Sequence, residues 1–343
     1  MTDGGIQARK VKHLEACLYG PVEFQTIRTG FADLTLPYRA LPETDLGSVE
    51  LTTSFHGRSL QAPLLIGAMT GGAELAATIN RNLAAAAEEL GLGLMLGSQR
   101  IMLEYPELAA SFQVREHAPN ALLIGNLGIA QLNRGYGAAE VDRAAEMINA
   151  DAMALHANPL QEAMQADGDT DFRGLLGRLG DLVENATCPV MLKEVGHGLG
   201  REVVTALDGV PLSAIDVAGA GGTSWARVEQ YVRHGEIIHP DLVEWGIPTA
   251  TALAQVRAAR PEVPAVASGG IRSGLDIAKA LAMGASAVAI ARPLLAPAIE
   301  SPEAVVDVLA DLLGQLRAVM YCAGVTDIAS LAQVSLSRGT HHV

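Results

Sequence analysis

At 343 residues, with 49% apolar and 18% charged side chains, the chain has ample material for a large buried core and is not a disordered protein. A formal net charge of −14 argues against general nucleic-acid binding, which needs a cationic face. No apolar run approaches the roughly 20 residues that span a bilayer.

Residues 1–62 read as an N-terminal extension. It opens MTDGGIQARK, with no apolar signal region, and a hairpin is expected in VELTTSFHGRSLQAP. From Pro63 onward eight short apolar runs follow one another. They are PLLIGAMTGG from Pro63, LGLMLGS from Leu92, ALLIGNLG from Ala121, DAMALHANP from Asp151, PVMLKEVG from Pro189, AIDVAGAGG from Ala214, AVASGGI from Ala265 and AVAIARP from Ala287. Each begins strand-like and ends in Gly, Asn or a polar residue. Most neighbours lie roughly 20–40 residues apart, the size of a βα unit. Between them, Glu74 to Leu90 is Ala-rich without Pro, and Gly274 to Met283 is amphipathic and stops at Gly284. Both read as helices. Eight such units predict an α/β protein, a (β/α)8 TIM barrel over 63–343, rather than an open sheet. After the sixth run, Trp225 to about Ala250 is long and rich in polar and aromatic residues. It reads as a loop that covers the site. Residues 303–333 read as terminal helices on the outside. The scattered Cys17, Cys188 and Cys322 show no metal-type spacing, so free thiols in a cytoplasmic protein are expected.

In this fold the active site lies at the C-terminal ends of the strands. Thr70, Ser98, Asn126, His156, Asn158, Lys193, Asp216, Thr223 and Arg272 all fall in or just after those ends. SGGIRSG after the seventh run and IARP after the eighth point to a phosphate site, because Gly269 and Gly270 let backbone amides approach an anion. The alternative is that the glycines only make a tight turn, and the agreement of two adjacent strand ends favours the phosphate. Lys193 could form a Schiff base, place a positive charge near a cofactor, or pair with Glu194. HANPLQE packs His156, Asn158, Gln161 and Glu162 into seven residues, and Glu162 is a hard oxygen ligand suited to Mg2+. Arg100 could hold a phosphate through its fork of donors. Arg9 and Lys10 read by themselves as a solvated pair in a polar tail.

Taken together, RKVKH, AMTGG, LGSQR, GNLG, HANPLQE, LKEVG, DVAGAGGTSW and SGGIRSGLDIAKAL resemble the type 2, flavin-dependent isopentenyl-diphosphate isomerases. The resemblance runs from Arg9 to about Pro293. SGGIRSGLDIAKAL is shared by many FMN barrels; AMTGG, LGSQR and HANPLQE in that order are far more specific. The resemblance implies FMN contacts at Ala68, Met69, Thr70, Ser98, Asn126, Lys193 and Thr223. It places the FMN phosphate at Gly270, Ile271 and Arg272 and at Ala291 and Arg292. It implies that Arg9, Lys10, Ser98, Gln99, Arg100, Asn158 and Gln161 bind a small diphosphate substrate and that Glu162 binds Mg2+. His156 and Gln161 would be the catalytic side chains, with reduced FMN the main acid–base group and NADPH the reductant. The reaction would interconvert isopentenyl and dimethylallyl diphosphate. A homo-oligomer, tetramer or larger, is also implied, with no membrane or nucleic-acid partner. Lys12, Ala157, Gly200 and Ala218 depart from the pattern, and Ala218 removes one hydroxyl contact to the flavin.

Two other classes compete. An FMN barrel oxidoreductase of the α-hydroxy-acid oxidase type needs a base, commonly a His near strand six or seven. AGAGGTSW and SGGIRSG carry none, and the nearest are His234 and His239. A flavin-storing or sensing barrel would leave HANPLQE beside SQR unexplained.

Overall fold

The eight apolar runs close on themselves. The computed structural model describes residues 3–72 and 74–339. Strands β1 (Leu64–Ile66), β2 (Gly93–Met95), β3 (Leu122–Gly128), β4 (Ala152–His156), β5 (Val190–Lys193), β6 (Ala214–Asp216), β7 (Ala265–Ser268) and β8 (Ala287–Ile290) form one closed parallel barrel. Closure comes from β8 against β1, with Val288 opposite Leu64 and Ile290 opposite Ile66. All residues of β1, β2 and β3 are buried, as expected where helices cover a parallel sheet on one side and side chains fill the barrel on the other. Large and small inward residues pack together there: Leu65, Met95, Leu122, Ile124 and Met191 against Ala152, Ala154, Ala214, Ala287 and Ala289.

Helix α1 (Asp3–Tyr19) precedes the barrel. Helix α2 (Glu74–Leu90) follows β1 and buries Ala76, Ile79, Leu83, Ala86 and Ala87, one face at helical spacing. The expected hairpin pairs Thr53–Phe55 with Arg58–Leu60, and its turn residues His56 and Gly57 both have positive φ, at 46° and 73°. Phe55 and Leu60 join the cluster that fills the barrel interior. The hairpin is thus a plug built from the extension. Phe55→Ala is expected to cost about 3–5 kcal/mol of folding stability, measured by urea unfolding. A loss below about 1 kcal/mol would mean that the plug packs loosely.

The segment after β6 differs from expectation. It is not an open loop: Trp225–His234 forms α4, counting Pro159–Met164 after β4 as α3, and Pro240–Val243 adds one further turn. The Ser224 side chain caps α4 by accepting from the Arg227 amide at 3.3 Å, and Gly235 ends it with φ 76°. Arg227, Glu229 and Gln230 gave the stretch its polar look, yet they are 4%, 3% and 2% exposed. They are satisfied inside the protein; Arg227 Nη2, for example, lies 2.8 Å from Glu244 Oε1. Ala16 and Cys17 of α1 pack with Val228 and Tyr231 of α4. Helix α5 (Gly274–Ala282) follows β7, and α6 (Pro302–Ala323) with Ile328–Leu331 forms the expected terminal helices. Among the described residues no helix is long and apolar enough to cross a membrane.

Candidate functional site

A cavity of about 290 Å³ opens where the strands end, roofed on one side by α1 and α4. The loop after β1 contributes Ala68, Met69 and Thr70, and that after β2 contributes Ser98 and Arg100. Asn126, His156, Lys193 and Asp216 line it from β3, β4, β5 and β6, and Thr223 comes from the loop before α4. Gly270, Ile271, Arg272, Ala291 and Arg292 close the side at β7 and β8.

That side is a tight turn in its own right. Gly269 and Gly270 have φ of 102° and 73°, and a Cβ on Gly270 would lie 2.5 Å from the Gly221 carbonyl oxygen. Packing alone therefore demands glycine here. The phosphate reading rests on what surrounds the turn: the N-terminus of α5, Arg272 and Arg292. Two guanidinium groups at a helix N-terminus fit a phosphate dianion.

Lys193 does not pair with the Glu194 side chain. Its ammonium donates to the Glu194 backbone carbonyl, while the Glu194 carboxylate accepts from the amides of Gly196, His197 and Gly198. Beside it Asp216 is buried, which pushes its carboxyl above the usual carboxylate range against the pull of Lys193. A cation on this buried tip suits an electron-rich ring.

His156 Nδ1 sits 2.8 Å from Asn126 Oδ1, so Nδ1 carries the hydrogen and Nε2 is left as an acceptor. Burial, then the charges of Lys193 and Arg100, lower its pKa to about 3. The imidazole is neutral at any ordinary pH. Next to it, α3 begins. Asn158 Nδ2 donates to Gln161 Oε1 at 3.0 Å and to Glu162 Oε1 at 2.9 Å, and Glu162 Oε2 accepts from the Asp169 amide at 2.6 Å. Asn158 Oδ1 is buried without a hydrogen-bond partner. Among the described residues no group of three or more His, Cys, Asp or Glu could hold a metal. One carboxylate beside an unpartnered amide oxygen fits Mg2+ only as an ion carried partly by substrate phosphates, which is how Mg2+ is commonly held.

Arg9 and Lys10 are not in a tail. They lie on α1 and line the cavity together with Arg100, whose charge reaches Lys10. The Lys10 ammonium donates to the Gly71 carbonyl and lies 5.5 Å from the centre of the Phe112 ring. Burial, then Arg100 and Arg9, lower its pKa to about 7. Arg100 is held by Asp169 at 2.8 Å, and Gln131 steadies that carboxylate.

Gln99 departs from expectation. It is fully buried and does not line the cavity. Its Oε1 accepts from the Asn126 amide at 2.8 Å and its Nε2 donates to the Ala144 carbonyl at 2.9 Å. Its side chain points behind the strands, where it fixes the backbone of Asn126.

Two further residues stand out. Gln161 Nε2 donates to Glu229 Oε1 at 2.9 Å, and His13 Nε2 lies 3.2 Å from the same oxygen, with Trp225 edge-on to the His13 ring. His13 was visible as the last residue of RKVKH, one helical turn from Arg9 and Lys10 and so on their face. Glu229 could be placed only by reading Trp225–His234 as a helix.

Known proteins with related sequences and folds give the chain its family. The FMN-dependent dehydrogenase family model matches residues 132–338. The chain is 56% identical to an isopentenyl-diphosphate delta-isomerase of Mycolicibacterium vanbaalenii, over 95% of each chain. It is 55% identical to that of Deinococcus radiodurans, over 94% of this chain and 96% of the relative. A mandelate oxidase solved with (S)-mandelic acid superimposes with a TM-score of 0.67 over 99% of both chains. At 19% identity that likeness extends to the fold alone. Kinship along nearly the whole of both chains, with an FMN-type family model over residues 132–338, from β4 through β8, makes this chain a member of the FMN-dependent, type 2 isopentenyl-diphosphate delta-isomerase family.

Proposed function

We propose that this chain is an isomerase that interconverts isopentenyl diphosphate and dimethylallyl diphosphate by a 1,3-allylic proton shift. The observation that carries the reading is a single cavity with two cationic ends on different elements. Arg272 and Arg292 stand at β7 and β8, and Arg9, Lys10 and Arg100 stand at α1 and β2. One end suits the phosphate of FMN and the other a substrate diphosphate, with the HANPLQE cluster alongside.

The reaction adds a proton at the terminal alkene carbon and removes one from the carbon next to the diphosphate-bearing one. It has no net redox change. Reduced FMN, when bound, supplies acid–base chemistry through its ring nitrogens. The backbone at Ala68, Met69 and Thr70, with Ser98, Asn126 and Thr223, holds the ring. Lys193 would place a positive charge beside the ring and favour an anionic reduced form. Gly270, Ile271, Arg272, Ala291 and Arg292 hold its phosphate. Arg9, Lys10, Ser98, Arg100 and Asn158 bind and orient the diphosphate. Glu162 would hold Mg2+ for the diphosphate, with the unpartnered Asn158 Oδ1 beside it. Neutral His156 orients the hydrocarbon part and donates no proton at ordinary pH. Gln161, whose Nε2 donates to Glu229, would serve the proton-removal side. NADPH as reductant, a homo-oligomeric assembly and a cytoplasmic setting belong to the same proposal.

An α-hydroxy-acid oxidoreductase has less support. His234 and His239 do not line the cavity, and relatives 41–56% identical carry the isomerase name. The test is an anaerobic reaction with FMN, NADPH, Mg2+ and isopentenyl diphosphate in deuterated water, followed by NMR. Many turnovers to deuterated dimethylallyl diphosphate, with NADPH used once per flavin, are expected. No product from protein shown to hold FMN and Mg2+ would sink the reading.

A further inference from the structure

The two arginines at the ends of β7 and β8 share one acceptor. Arg272 Nη2 lies 2.9 Å and Arg292 Nη1 lies 2.5 Å from the same oxygen, Oε1 of Glu23. Glu23 belongs to neither turn. It sits on the short strap, residues 20–24, that leaves α1. The strap is bound to the loop before α4: the Phe24 amide donates to Gly222 at 2.9 Å, the Ser224 amide donates to Val22 at 2.9 Å, and Glu23 bridges Thr223. Arg292 makes a second tie, its Nε donating to the Cys17 carbonyl in the last turn of α1 at 2.7 Å. The helix that carries Arg9, Lys10 and His13 over the cavity is therefore fastened, at its far end, to the cations at the ends of both β7 and β8.

Two guanidinium groups aimed at one place repel each other, and a carboxylate between them offsets that repulsion and fixes their planes. Glu23 is half-exposed, and ion pairs so exposed contribute little to folding. Their effect here is orientation. Neither arginine is used up: Arg272 spends Nη1 on the Ile271 carbonyl and Nη2 on Glu23, and Arg292 spends Nε and Nη1. With five N–H donors each, both keep donors for an anion.

Resting on the FMN reading above, we propose that Glu23 is a positioning residue that holds Arg272 and Arg292 in the orientation that receives the flavin phosphate, and that the strap couples phosphate binding to the seating of α1. The coupling is local. An anion on the arginines stiffens Glu23 and Cys17, which fasten the C-terminal end of α1.

Riboflavin, which lacks the phosphate, is the control ligand. Apoprotein and its Glu23→Gln variant would be titrated with FMN and with riboflavin by flavin fluorescence. Hydrogen exchange over residues 9–19 would be followed alongside. The native protein is expected to bind FMN more tightly than riboflavin and to gain protection in α1 with FMN but not with riboflavin. Glu23→Gln is expected to lose roughly tenfold in FMN affinity, keep its riboflavin affinity, and lose the FMN-specific protection. Unchanged FMN affinity in the variant would overturn the proposal, as would tighter binding, which would make Glu23 a competitor of the phosphate. Equal protection of α1 by both ligands in the native protein would overturn the coupling without any variant. If the native protein showed no preference for FMN over riboflavin, the phosphate site itself would fall, an outcome distinct from failure of Glu23.

Discussion

Gln161→Ala is expected to lower kcat about 100- to 1,000-fold, the lower part of the roughly 100- to 10,000-fold range of a positioned proton-transfer group, with FMN still bound and KM little changed. The flavin end of the cavity does not depend on this side chain. Asn158 keeps its bond to Glu162 at 2.9 Å when the bond to Gln161 is lost, so the diphosphate end also survives. What changes is the link from the cavity to Glu229. That carboxylate is 3% exposed and would retain His13 at 3.2 Å as its neighbour. Steady-state kinetics, read beside the bound-flavin spectrum and a melting curve, separate the cases. Turnover within about threefold of the native rate would remove Gln161 from the proton path. A parallel rise in KM would show that it binds rather than relays.

The barrel was legible because its signal is repeated. Eight apolar runs with polar tips constrain one another, and misplacing a single strand would not have changed the answer. The tips also located most of the cavity wall: His156 and Lys193 are the last residues of β4 and β5, Asn126 lies two residues before the end of β3, and all three line the cavity. Side-chain direction off the strands was not legible in the same way. Ser98, Gln99 and Arg100 are consecutive, yet only the outer two line the cavity, because Gln99 turns back to bond Asn126 and Ala144. A motif names neighbours in sequence without saying which face each takes. The segment after β6 failed for another reason. Its polar residues look solvated by composition, but Arg227 and Glu229 are buried with partners drawn from distant parts of the chain, Pro21 and Gln161 among them. Long-range pairing of that kind leaves no local trace. For the same reason Arg9 and Lys10 could be brought to the cavity only by resemblance; the packing of α1 on α4 that carries them there is tertiary.

Substrate affinity is expected to fall as pH rises above about 7, and Lys10 is the cause. Its folded pKa of about 7 comes first from burial, then from Arg100 and Arg9, all of which disfavour the ammonium. A bound diphosphate acts the other way and favours the charged form. Lys10 is already protonated below pH 7, so its contribution to binding is constant there. Above pH 7 binding must first take up a proton, and each further pH unit weakens it by about tenfold until the raised pKa of the complex is reached. The same shift affects folding of the apoprotein. Between about pH 7 and the ordinary lysine value the unfolded chain holds the proton and the folded one does not, so Lys10's own contribution makes stability rise with pH across that window. Lys10→Arg removes both effects, because a guanidinium stays charged throughout. Isothermal titration with the diphosphate at pH 6.5, 7.5 and 8.5 in buffers of different ionisation enthalpy reads the proton uptake directly. Uptake that grows with pH in the native protein and vanishes in Lys10→Arg is the expected pattern. Equal uptake in both would assign the proton to another group and leave Lys10 as a fixed cation.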